Sequence, residues 1–263
     1  MELWEAIVLG IIQGLTEFLP VSSSGHLEIA NALFGIHESN NLAFTVAVHG
    51  ATVLSTIVVF WREIGQLLSG LFRFQMNEQT RFLINIGISM IPVLIVGLFF
   101  KDSVEALFTS NMTLVGCTLL VTAALLTFSQ YAPRRNRMMS PLSALMMGIA
   151  QAVAVLPGLS RSGSTISTGL IMGVKPEEVT KFSFLMVLIP ILGMNFLNIV
   201  SGNFAEGDSV GTLNLIAGSV AAFITGTLAC KWMIGIVKRG KLIWFALYCL
   251  CVGAGALIYS LIH

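Results

Sequence analysis

Charge is what this sequence most lacks: 10% of its residues are Asp, Glu, Lys or Arg, against 56% hydrophobic. A soluble domain carries about a quarter charged residues, so that class is excluded. Cysteine is sparse, and Cys117, Cys230, Cys249 and Cys251 all lie in apolar runs. They support packing, not a disulfide framework. Strict alternation of apolar and polar residues is missing, which excludes barrel strands. The N-terminal segment has no basic stretch and carries Glu2, Glu5 and Glu17, so no cleaved signal peptide is expected. A net charge of +1 offers nothing to attract nucleic acid or an acidic protein.

What is present are apolar runs near the roughly 20 residues needed to cross a bilayer. Together with a mean hydropathy of +0.88, they predict an all-α polytopic membrane protein, because helices satisfy their own backbone groups. Residues 1–19 and 22–36 read as two short helices separated by Pro20, which lacks an N–H and disfavours helix before it. Longer segments follow at 42–60, 82–100 and 112–130. A basic connector, Arg134-Arg135-Asn136-Arg137, leads to a short helix at 141–156, a break at 157–163 and a short helix to Gly173. Long segments at 178–200, 210–236 and 242–262 complete the chain.

The two halves share this plan. A gapless offset of 138 residues pairs Gly10 with Gly148, Gln13 with Gln151, Ser22 with Ser160, Ser24 with Ser162, Gly25 with Gly163 and Gly35 with Gly173. Apolar composition does not explain the Gln, Ser and Gly matches. The expectation is therefore two inverted-topology repeats, 1–133 and 134–263. Each has a broken re-entrant pair, about 1–36 and 141–173, plus three spanning helices. Twelve of the 14 Lys and Arg fall on one side of this topology. Lys101 falls on the other, as does the 201–209 connector with Glu206 and Asp208. The positive-inside rule then places both termini outside the cell.

The breaks carry the chemistry. Gln13 and Glu17 lie one turn apart on one helix face, and Ser22, Ser23 and Ser24 stand where the next helix starts. A helix start offers free N–H donors and a positive dipole end to an anion. In the second break Arg161 sits between Ser160 and Ser162, with Thr165 one turn on. A guanidinium in an apolar setting needs an anionic partner, either Glu17 or substrate phosphate. The serines and Thr165 either cap their helices or cradle phosphate oxygens. Glu17 and Gln13, as hard oxygen donors beside a phosphate site, favour a divalent cation, Mg2+ or Ca2+. His26 reads as nucleophile, general acid or hydrogen-bond partner, and His49 as a residue packed nearby.

At these residues the chain resembles the undecaprenyl-diphosphatase family of bacterial membrane enzymes, known for bacitracin resistance. Gln13-x-x-x-Glu17 resembles its (Glu/Gln)-x-x-x-Glu motif, with Gln13 taking the amide option. Pro20-Val-Ser-Ser-Ser-Gly-His26 resembles its Pro-Val-Ser-Ser-Thr-Gly-His element, with Ser24 in place of Thr. Pro157-Gly-Leu-Ser-Arg-Ser-Gly-Ser-Thr165 resembles its Pro-Gly-x-Ser-Arg-Ser-x-x-Thr element. The resemblance implies an enzyme of the bacterial cytoplasmic membrane that removes one phosphate from undecaprenyl diphosphate, returning the carrier lipid to cell-wall synthesis. Its partners would be the polyprenyl diphosphate substrate and membrane lipids; an oligomer is compatible with the sequence. Arg161, Ser22, Ser24, Ser160, Ser162 and Thr165 would hold phosphate. Glu17 would serve catalysis and a cation, and His26 or Ser23 would attack phosphorus or activate water. A flippase or transporter built on the same repeat is the competing reading. A second lipid-phosphatase family shares Ser-Gly-His and Ser-Arg but requires a His where this chain has Ser167.

Overall fold

The structure is a computed structural model describing residues 1–36, 42–73, 75–100, 104, 106, 111–193 and 210–262. Its helices are α1 (Leu3–Phe18), α2 (Ser23–Phe34), α3 (Leu42–Val59), α4 (Trp61–Leu71), α5 (Glu78–Phe99), α6 (Met112–Tyr131), α7 (Pro141–Val153), α8 (Arg161–Ile171), α9 (Pro176–Met186), α10 (Thr212–Arg239) and α11 (Ile243–Ile262). Four of them, α5, α6, α10 and α11, are long and apolar enough to cross a membrane, and the bent pair α3–α4 brings the count to five. This is a multi-pass membrane protein.

Side chains set many of the helix ends. Asn77, Asn111 and Ser140 each accept a backbone N–H of the helix they open, and Pro141 occupies the first turn of α7. Two elements differ from the sequence expectation. The run at 42–60 is followed by α4, bent by 74° from α3. Trp61–Leu71 mixes Arg62, Glu63 and Gln66 with apolar residues, the pattern of a helix lying at an interface rather than spanning. The run at 178–200 is interrupted at Val187, after which 188–193 is again helical. Pro190 explains the interruption, because it cannot donate to the Met186 carbonyl. The remainder of that run, Lys101 and the acidic 201–209 connector lie outside the described residues.

α1 packs along α10, α7 along α5, and α6 along α11; α1–α2 and α7–α8 form hairpins at the centre. The two breaks touch there. A Cβ on Gly25 would come to 3.0 Å from the Gly158 Cα, so glycine at 25 eases this approach. Gly158 also has φ 80°, a conformation that other residues rarely adopt. Small residues set the outer contacts as well, as membrane helices require for close approach.

Arg134, Arg135, Arg137, Lys175 and Lys238 gather at one end. Arg134 lies against Gly240, Arg135 against Gly173, and Lys238 pairs with Glu177 at 3.0 Å. The Lys175 amide donates to the Arg137 carbonyl at 3.0 Å, tying the central connector to the same end.

A Cβ on Gly10 would collide with the Gly218 carbonyl, whereas one on Gly255 meets nothing within 4 Å. Gly10→Ala is therefore expected to destabilise by about 1–3 kcal/mol through overpacking, and Gly255→Ala to leave stability unchanged. Thermal unfolding of the two variants in detergent checks this.

Candidate active site

Pro20 ends α1 with Glu17 in its last turn, so the carboxylate lies beside the start of α2. The α1 helix buries it, leaving the side chain 7% exposed. Four groups surround it. Arg161 Nη2 donates to Oε1 at 2.6 Å, and Ser23 Oγ donates to Oε2 at 2.7 Å. Gln13 Nε2 donates to Oε2 at 3.0 Å, and His49 Nε2 lies 3.9 Å from Oε2. Ser23 and Arg161 each occupy the first position of their helix, α2 and α8, and both reach the same carboxylate. The last turn of α1 is thus the meeting point of the two breaks.

The other serines shape the helix starts. Ser22 caps α2 and accepts the Gly25 amide at 3.2 Å; Ser160 caps α8 and accepts the Gly163 amide at 3.0 Å. Ser22 and Ser24 hydroxyls lie 3.3 Å apart, and those of Ser160 and Ser162 3.4 Å apart. Ser24 accepts the Gly158 amide at 3.4 Å, and Ser162 donates to the Leu19 carbonyl at 3.1 Å, so each break holds the other. Thr165 is turned onto its own helix, donating to the Arg161 carbonyl at 2.8 Å, and meets Ser183 at 2.7 Å.

Ser22 is a non-glycine residue at φ 71°. Such a conformation costs about 1–3 kcal/mol and persists only where surroundings over-determine it. Here the cap and the Ser22 carbonyl provide that hold. The carbonyl accepts both the His26 amide at 3.2 Å and His26 Nδ1 at 2.8 Å. The opposite ring nitrogen, Nε2, lies 2.8 Å from the Tyr248 hydroxyl.

A cleft opens from the ion pair. Glu17, Arg161, Ser162 and Ser183 line its polar end, and Val53, Phe184, Leu188 and Ile191 its apolar wall. A phosphate group and the first part of a hydrocarbon tail match those two ends.

The serines, Thr165, Arg161 and His26 lie at the two breaks, Gln13 and Glu17 on α1 beside the first, and His49 reaches Glu17 from α3. Gln13, Glu17, Ser23 and Arg161 form one bonded cluster, while His26 is held through Ser22 and Tyr248. Ser183, Thr118, Thr122 and Tyr248 were not anticipated. Thr122 Oγ1 accepts the Ser160 amide at 3.0 Å and Thr118 Oγ1 donates to the Pro157 carbonyl at 2.7 Å. Their one signal was two hydroxyls a turn apart in the middle of a spanning helix. Ser183 and Tyr248 stand alone in their segments and gave no pattern.

The sequence profile of the family described as Bacitracin resistance protein BacA matches residues 6–255. The undecaprenyl-diphosphatase of Bacteroides fragilis is 58% identical over 264 residues, covering 99% of each chain. That of Bacteroides thetaiotaomicron is 58% identical over 261 residues, covering 98% of each. That of Christiangramia forsetii is 47% identical over 262 residues, covering 99% of each.

Arg161→Ala leaves the Glu17 carboxylate buried without its cation, a loss of about 3 kcal/mol. Adding Glu17→Gln removes the stranded charge, so the double variant is expected to unfold at a higher temperature than Arg161→Ala alone. Thermal unfolding in detergent reads both.

Proposed function

We infer that this chain, which belongs to the bacitracin resistance protein BacA family, hydrolyses undecaprenyl diphosphate to undecaprenyl phosphate and phosphate. It is a membrane phosphatase, and its product is the carrier lipid of cell-wall synthesis. The observation that carries the site assignment is the shared grip on Glu17 by Arg161 at 2.6 Å and Ser23 at 2.7 Å. One joins a carboxylate to a phosphate-binding cation, the other to a hydroxyl nucleophile.

In the mechanism that this geometry supports, the substrate diphosphate enters the cleft and draws Arg161 onto its terminal phosphoryl oxygens. The amides at the start of α8 and the hydroxyls of Ser160 and Ser162 face the same charge. Ser23 Oγ passes its proton to Glu17 Oε2 and attacks the terminal phosphorus. The bond to the bridging oxygen breaks, and undecaprenyl phosphate leaves with the proton that Glu17 took from Ser23. Glu17, again ionised, takes a proton from the water that attacks the phosphoserine and returns it to Ser23 Oγ as phosphate leaves. Ser22 and Ser24 hold the start of α2 in place, Thr165 braces Arg161 through its carbonyl, and His26, as the imidazolium, donates from Nε2 to a phosphoryl oxygen.

Among the described residues Gln13 Oε1 is buried without a hydrogen-bond partner, an oxygen donor on the residue one turn from Glu17. Among the described residues no group of three His, Cys, Asp or Glu side chains gathers to hold a metal. As hard oxygen donors, Glu17 and Gln13 suit a divalent cation, Mg2+ or Ca2+, only when substrate phosphate oxygens complete its ligands. Such a cation, held by Glu17 and Gln13, would neutralise charge on the diphosphate.

We read the chain as two inverted repeats, 1–133 and 134–263. The support is that register mates behave alike. Ser22 and Ser160 cap equivalent helices through Gly25 and Gly163. α1 packs on α10 as α7 packs on α5, and α6 packs on α11. The basic end supports a cytoplasmic-membrane location with that end in the cytoplasm and both termini outside.

Phosphate release from undecaprenyl diphosphate by purified protein in detergent tests the function, since no second compartment exists there. Arg161→Ala, Glu17→Ala and Ser23→Ala are each expected to lower turnover by about 10²–10³-fold. Release that is unchanged in all three would overturn the site. No release from folded wild-type protein that binds the lipid would favour the flippase reading. A cysteine replacing Asn136, in a background without Cys117 and Cys251, is expected to react with an impermeant maleimide only after cells are opened.

A further inference from the structure

His26 has two ring nitrogens, and the structure accounts for both. Nδ1 faces the Ser22 carbonyl at 2.8 Å, a group that only accepts, so Nδ1 carries a proton in the neutral and the charged ring alike. Nε2 is left as the one ring atom able to change its role. It is met at 2.8 Å by the hydroxyl of Tyr248, with the two ring planes 12° apart and their centroids separated by 5.5 Å. A hydroxyl both donates and accepts, so this contact survives either charge state of the ring. The next residue of α11 continues the brace, as the Cys249 thiol faces the Pro20 carbonyl at 3.5 Å. Two consecutive residues near the end of the chain thus grip the first break on either side of the strained Ser22. Tyr248 itself is 44% exposed, at the outer face of α11. A tyrosine placed there only for packing has no need to aim its hydroxyl inward at an imidazole.

We propose that Tyr248 is a positioning residue for the phosphatase reaction: its hydroxyl fixes the ring plane and the Nε2 direction of His26 from the opposite half of the chain. This rests on the role given above to His26. The Ser22 carbonyl alone allows the ring to swing about the Nδ1 contact; the second contact, on the far side, removes that freedom. An arriving phosphoryl oxygen meets Nε2 already directed and takes over the place of the Tyr248 hydroxyl. The effect is expected on the chemical step and not on lipid binding, because the contact that the Tyr248 hydroxyl makes is with His26.

The test uses full-length protein in detergent with undecaprenyl diphosphate, comparing wild type, Tyr248→Phe, His26→Gln and the double variant. Tyr248→Phe keeps the ring and removes only the hydroxyl. It is expected to lower kcat about 10-fold or more, a fraction of the 10²–10⁴ that a positioned acid–base group contributes, and to leave KM within about twofold. In the His26→Gln background the same change is expected to have no further effect, because Tyr248 acts through His26. The ¹⁵N resonance of His26 Nε2 is expected to shift in Tyr248→Phe before any substrate is added. Wild-type kcat with an unmoved resonance, while His26→Gln is slow, would overturn this inference alone. Additive losses in the double variant would also overturn it. Wild-type turnover by His26→Gln would refute the role of His26 and this inference with it.

Discussion

The Glu17–Arg161 ion pair is the constraint on which the rest of the structure depends. Neither charge is tolerable alone in an apolar protein, and they arise in different halves of the chain, 144 positions apart. Bringing them to 2.6 Å requires both helix breaks to reach the same depth. That requirement accounts for Pro20, which ends α1 just beyond Glu17. It also accounts for Gly25, whose missing side chain eases the meeting of the two backbones. The apolar packing of α1 on α10 and of α7 on α5 then holds the two hairpins rigidly enough for the pair to form. The pair is a stability liability once one member is lost, and that is consistent with retention for function rather than for folding.

Around this pair most of the hydroxyls have structural partners. Ser22 and Ser160 accept the amides that would otherwise lie free at helix starts, and Ser162 and Thr165 bond to carbonyls. Capping and anion binding are not alternatives here. A cap fixes the orientation of the remaining N–H donors, and those donors are what an anion meets. Ser23 differs from its neighbours in bonding to a carboxylate, which makes its oxygen the more nucleophilic.

The broken helices, the polar residues that gather at them and the all-helical class were legible in the sequence because each rests on a local pattern. Proline followed by serines marks a break, Gln13 and Glu17 share a helix face, and an arginine in an apolar setting demands a partner. The α4 bend was not legible, because Trp61–Leu71 is neither apolar enough for a span nor polar enough for a loop. The interruption at Val187 was announced only by Pro190, which within one long apolar run reads equally as a kink in a single helix. Tyr248, Ser183 and Thr118 escaped notice because their roles depend on tertiary neighbours far along the chain. His49 was expected near the site, and its 3.9 Å approach to Glu17 is a contact that no spacing between Glu17 and His49 could reveal.

The account predicts that substrate exchanges one partner of Arg161 for another, opening the pair that organises the resting protein. The most direct measurement is an experimental structure with a non-hydrolysable polyprenyl methylenediphosphonate bound. The terminal phosphonate is expected within hydrogen-bonding distance of Arg161, with Ser23 Oγ in line with its phosphorus. A diphosphonate bound elsewhere, with Arg161 still on Glu17, would contradict the central claim.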